Sequence, residues 1–285
     1  MRNGMYRKLT AFLYIMIVFV ILILSGSFSE IAFQMNVSML GAQIIYNLLN
    51  VVCVYTAVFL VAKYVMKEKP DMMYLGGPKP QKLWCMIAVL IPSLIMGFYL
   101  LFTKGNFANG NFEKDTMIDI IVSDILGLGI RAALVEEILF RGVVFHVLQK
   151  SFGNRWALFG TGIVYTIPQL LLTYTAKWTG KMLLFIATYI AGTALLLVTY
   201  ESGSIWSAVV IHAIYNIFSG DSQIFHIDTE QNFPFIFSYT LESDSVLIGG
   251  LSGVDAMQTA LPAIVGFLVI GGVALIRIKR NLHKA

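Results

Sequence analysis

The stretch IRAALVEEILFRGVVFH (130–146) decides how this chain is read. It is apolar enough to be a buried helix, yet it carries Arg131, Glu136, Glu137 and Arg141 within eleven positions. At helical spacing Glu137 and Arg141 are i, i+4 and share one face, in reach of an ion pair. Glu136 points about 100° away from its neighbour. A purely structural pair accounts for Glu137 and Arg141, but it leaves Glu136 as a second carboxylate in apolar surroundings. Burying a charge there is costly.

The rest of the chain shows what those surroundings are. Hydrophobic types make up 58% of the 285 residues and charged types 13%, against about 25% charged in an ordinary soluble domain. The apolar residues fall in long runs, which predicts an all-α, polytopic transmembrane bundle of about eight helices. The runs cover 9–26, 40–62, 83–103, 117–149, 156–173, 182–199, 204–219 and 259–277. The fourth is too long for one crossing, and its part after Arg141 is expected to run along or beyond the interface. The basic N-terminus and the run from Leu9 to Leu24 read as a retained first span rather than a cleaved leader.

Basic residues orient the bundle. Lys104, Lys114, Lys177 and Lys181 fall in outer connections if the N-terminus is cytoplasmic. Apart from Arg131 and Arg141, every other Lys and Arg then lies on the cytoplasmic side. That asymmetry predicts a multi-pass protein of the cell membrane with both termini inside. A connection at about 220–258 has no Lys or Arg but holds Asp221, Asp228, Glu230, Glu242, Asp244 and Asp255. It is expected to be an acidic external loop. The chain divides into N-terminal helices and connectors (1–116), a core (117–219), and an outer loop with a last helix and basic tail (220–285).

Two more apolar helices carry polar pairs at i, i+4. In SIWSAVVIHAIYNIF (204–218) these are His212 and Asn216. Imidazole and amide can donate to an oxyanion or ligate a metal. In WALFGTGIVYTIPQLLL (156–172) they are Tyr165 and Gln169, with Pro168 expected to bend the helix and open a polar pocket. His146, His226 and His283 read as solvated or interfacial. Cys53 and Cys85 read as packing residues, with no zinc-finger or disulfide spacing. The segment 67–82 reads as a plain connector. The net charge of +4 belongs to membrane orientation and implies no nucleic-acid partner. No H-E-x-x-H, G-x-S-x-G or phosphate-loop motif occurs.

Taken in order, EExxxR (Glu136, Glu137, Arg141), the aromatic–polar pair (Tyr165, Gln169) and HxxxN (His212, Asn216) resemble the CPBP family. Its members are CAAX-processing intramembrane proteases and relatives linked to bacteriocin maturation or self-immunity. The resemblance spans about 118–219. It implies a glutamate-dependent endopeptidase acting on a peptide or a membrane-tethered protein at the lipid bilayer. Glu136 would activate water, and Arg141 would hold Glu137. His212 and Asn216 would stabilise the oxyanion; alternatively Glu136 and His212 would ligate a divalent metal such as zinc. The family's second motif is FxxxH, and here Gln169 stands where it has histidine. Glutamine takes no proton near neutral pH and is a poor metal ligand. Two readings therefore stay open: a peptidase with a weakened supporting residue at 169, and an impaired relative serving as membrane scaffold, immunity factor or regulator.

Overall fold

The structure is a computed structural model describing residues 2–172, 178–219, 222–229, 235–243, 245, 247–249 and 256–283. Of the loop acids, Asp221, Glu230, Asp244 and Asp255 lie outside the described residues, as do Lys177 and Lys284.

Among the described residues, eight helical stretches of twelve residues or more form the bundle. They are α1 (Arg2–Ser29), α2 (Met39–Leu60), α3 (Lys82–Phe102), α4 (residues 114–152), α5 (Asn154–Leu172), α6 (Trp178–Ser202), α7 (Trp206–Ile217) and α8 (Leu261–Leu282). Each follows an expected apolar run. Among the described residues, five stretches are long and apolar enough to cross a membrane: Tyr6–Gln34, Met39–Met66, Lys82–Phe102, Trp178–Ser202 and Leu261–Leu282. The chain is a multi-pass membrane protein. Large side chains such as Phe12, Leu101 and Leu171 stand exposed on its outer faces, the pattern of helices that meet lipid rather than water.

Two apolar cores hold the bundle. One joins α3, α6, α7 and α8 through Trp84, Tyr99, Val198, Ile211 and Ile270. The other joins α1, α2, α4 and α5 through Val18, Val54, Phe140, Phe145 and Tyr165. Helix α6 packs on both α5 and α8, and α7 lies between α3 and α4.

The structure refines several expectations. The end of α4 is covered by protein: residues from Glu137 to Leu148 are all buried, packed against α1, α2 and α5. Pro168 lies inside helix α5, which continues to Leu172. The segment 67–82 is more than a connector. Its Glu68 pairs with His146 and Lys150, so His146 is a buried ion-paired residue and not a solvated one. Burial alone would raise the Glu68 carboxyl; hydrogen bonding to Lys150 and the charges of His146 and Lys150 outweigh that and hold it below the usual value. Finally, the connection between α7 and α8 carries β2 (Phe225–Asp228) and β3 (Phe237–Leu241), which join β1 (Gly105–Asn109) in a sheet of order β1-β3-β2. β3 runs antiparallel to β1 and parallel to β2. His226, read as solvated, is part of β2, with its ring stacked on Phe235 at 4.0 Å.

Candidate active site

Helix α4 is irregular where its polar residues sit. Residues Asp124–Arg131 and Glu137–Val144 are π-helical, and the α-helical turn Ala132–Glu136 lies between them. π-segments concentrate at functional sites because the wider turn frees backbone groups and re-aims side chains. Here Asn216 donates from Nδ2 to the Leu128 carbonyl at 3.0 Å. This bond ties α7 to the first π-segment. Gly129 permits the close approach: a Cβ there would stand 3.0 Å from Ile217 Cγ1.

The second π-segment opens on Glu137, which is completely buried. Its Oε1 lies 3.1 Å from Arg141 Nη1 and 2.8 Å from His212 Nδ1. Arg141 is equally buried and reaches across to α6, where Nη2 donates to the Gly192 carbonyl at 3.4 Å. Its guanidinium stacks 4.1 Å from the centroid of the Tyr165 ring. A Cβ on Gly192 would stand only 2.6 Å from Tyr165 Cδ1. Glycine at 192 therefore allows Tyr165 and Arg141 to lie face to face against α6.

His212 meets both glutamates. Nδ1 contacts Glu137, and Nε2 lies 3.8 Å from Glu136 Oε2. The Glu136 side chain is 21% exposed, whereas Glu137 is at 0%. Gln169 reaches the same Oε2 of Glu136 through Nε2 at 3.4 Å, and Tyr165 is in electrostatic contact with this carboxylate. Glu136 thus has partners from α5 and α7, which a reading of α4 alone does not provide.

The site therefore brings Glu136, Glu137, Arg141, Gln169 and His212 together, with Tyr165 beneath the arginine. Asn216 sits on Leu128 instead, eight positions before Glu136. Gly192 was not signalled by the sequence: a lone glycine in an apolar helix has many causes. The donors do not fit a zinc centre. Glu137 is engaged by Arg141 and His212 Nδ1, and Gln169 offers only an amide. That leaves Glu136 and His212 Nε2, short of the three protein ligands of a catalytic zinc. Among the described residues no group of three His, Cys, Asp or Glu is placed to hold a metal.

What the geometry can perform is acid–base chemistry. One carboxylate is buried, paired and shielded, and orients an imidazole. The other is partly open and adjoins the second ring nitrogen. Residues 119–218 match the family model described as type II CAAX prenyl endopeptidase, Rce1-like. No curated protein and no solved structure matches the chain. The matched segment holds every residue of this site, and it agrees with the CPBP resemblance of the three motifs.

Proposed function

We propose that this protein, a member of the CPBP family through its Rce1-like segment 119–218, is an intramembrane endopeptidase that hydrolyses a peptide bond with Glu136 as general base. Its substrate would be a peptide or a membrane-tethered protein. Both termini are assigned to the cytoplasm of the cell-membrane protein, on the asymmetry of Lys and Arg.

The observation that carries this reading is the imidazole shared between Glu136 and Glu137. Glu136 takes a proton from water as the water oxygen bonds to the scissile carbonyl carbon. The carbonyl oxygen becomes an oxyanion. His212 lies with Nδ1 on Glu137, which leaves Nε2 on the side of Glu136 as the ring atom that would face that oxyanion. As the carbon–nitrogen bond breaks, the proton held by Glu136 passes to the leaving amine. Glu137 and Arg141 position the ring and do not touch substrate. Gln169 orients Glu136 by hydrogen bonding; unlike histidine it does not share the proton. Asn216 acts through α4, by holding the π-segment that precedes the glutamates.

Peptide termini in cells expressing wild type, Glu136→Gln or Gln169→His at equal levels test this. Termini that vanish with Glu136→Gln and increase with Gln169→His establish the peptidase and name its substrates. Identical termini in all three, with a gene-deletion phenotype that Glu136→Gln rescues fully, overturn it. That result favours the scaffold or immunity reading, whose supporting observation is Gln169 in the position of the family's histidine.

A further inference from the structure

Arg131 belongs to a different part of the molecule. It lies five positions before Glu136, about 140° around the helix, and faces α2. There it lines a cavity of about 220 Å³ with Phe33, Gln43, Tyr46, Asn47 and Ser123. Its guanidinium stands over the Tyr46 ring at 5.6 Å, and Phe33 packs on Tyr46 at 5.5 Å. Among the described residues no carboxylate pairs with Arg131, and its Nε is buried without a hydrogen-bond partner. An unpaired cation inside a membrane bundle is expensive. The polar neighbours Gln43, Asn47 and Ser123 are all neutral.

We infer that this cavity binds the phosphate of a phospholipid headgroup, with Arg131 as its counter-ion. A phosphodiester offers two oxygens to the guanidinium fork and neutralises it. Depth agrees. The span Met39–Met66 has 28 residues, about 42 Å at 1.5 Å per residue, or about 12 Å more than the hydrocarbon core. Centred in the bilayer, it places Tyr46 and its neighbours within about 5 Å of the hydrocarbon boundary, at a depth an arginine reaches by snorkelling. The wall formed by Phe33 opens to lipid, with that side chain 48% exposed. Further along the same two helices a second cavity, of about 230 Å³, is lined by Val51, Val52, Tyr55, Leu134 and Ile138. It is almost wholly apolar and suits an acyl chain. On α4 Ser123, Gly127, Leu128 and Arg131 line the first cavity and Leu134 and Ile138 the second, so the two follow one another along a single side of the helix. Glu136 is not among them, which argues against the carboxylate of a peptide under hydrolysis as the occupant.

The test is native mass spectrometry of the full chain in detergent, titrated with phosphatidylglycerol. Wild type should hold one lipid about tenfold more tightly than Arg131→Gln. Lys104→Gln, which removes a basic residue elsewhere, should match wild type. Val52→Trp, which blocks the apolar cavity and leaves Arg131 intact, should also weaken retention, and this holds the test open if Arg131→Gln fails to fold. Equal lipid retention by wild type, Arg131→Gln and Val52→Trp overturns the inference. So does Arg131-dependent binding of inorganic phosphate as tight as that of the lipid. A peptide acid that binds through Arg131 better than its amide, with no effect of lipid, overturns it as well.

Discussion

Glu137 and His212 stand 75 residues apart in sequence and are joined by a 2.8 Å contact between Oε1 and Nδ1. Through it α4 dictates how α7 presents its imidazole. The contact holds because Arg141 shares the buried carboxylate. Each of the three groups would be a lone polar burial without the others, and such networks fail together when one member is removed.

Arg141→Met should therefore destabilise the protein severely, by about 3–5 kcal/mol, since it leaves a buried carboxylate without its cation. Glu137→Gln combined with Arg141→Met should recover most of that stability while activity stays low, because the His212 ring loses its charged anchor. Thermal unfolding in detergent, alongside peptide cleavage, separates the two effects. A single Arg141→Met variant unfolding at the wild-type midpoint would contradict the network.

Gly192→Ala adds a methyl group where Tyr165 Cδ1 stands 2.6 Å away. Overpacking of this kind costs about 1–3 kcal/mol. It should displace the ring from Arg141 and lower cleavage. Ala187, on the same helix, is already buried and packed, so Ala187→Gly serves as the comparison and should leave the Tyr165 environment unchanged, as read by near-ultraviolet circular dichroism.

Glu68 predicts an acid limit. Its carboxyl is held below the usual 4.5, so the folded state binds that proton less readily than the unfolded chain. The stabilisation is complete above the usual carboxylate value and disappears as pH falls through the lowered one. Wild type should lose stability on acidification below about 4.5 more steeply than Glu68→Gln. Parallel unfolding midpoints of the two proteins over that window would refute the assignment.

Asn216→Leu removes the donor to the Leu128 carbonyl. The orphaned acceptor should cost about 1–3 kcal/mol. If Asn216 acts through the π-segment, the variant should lower kcat and leave its pH profile unmoved. A displaced pH profile would mean that the amide touches the reacting groups instead.

Much of this architecture was legible because its physics is local. Eight apolar runs mark eight helices, since lipid demands internal hydrogen bonding over a fixed thickness. Glu137 with Arg141, and His212 with Asn216, were visible as i, i+4 pairs. Their partners across the bundle were not. Asn216 looks like a neighbour of His212 in any helical projection, yet it reaches Leu128 on another helix. Glu68 is one acid among the lysines of a polar segment, and only the fold brings it to His146. The strands escaped notice because β1 pairs with β3 across more than a hundred residues, and no hairpin turn announces it. The π-segments leave no periodic signature, because eight residues barely distinguish one helical pitch from another.

Helix α7 contains 12 residues, a rise of about 18 Å. An apolar slab of ordinary thickness measures about 30 Å. The helix that carries His212 cannot reach both water layers, so at least one end stops at a depth where open backbone is forbidden unless protein covers it. Around its C-terminal end, Ser222 donates to Asp124 and the Gln223 amide donates to the same carboxylate. A polar cluster thus closes off the end of the helix that carries the imidazole. For the proposed hydrolysis, a truncated helix of this kind would shorten the route that each water molecule must travel through oil.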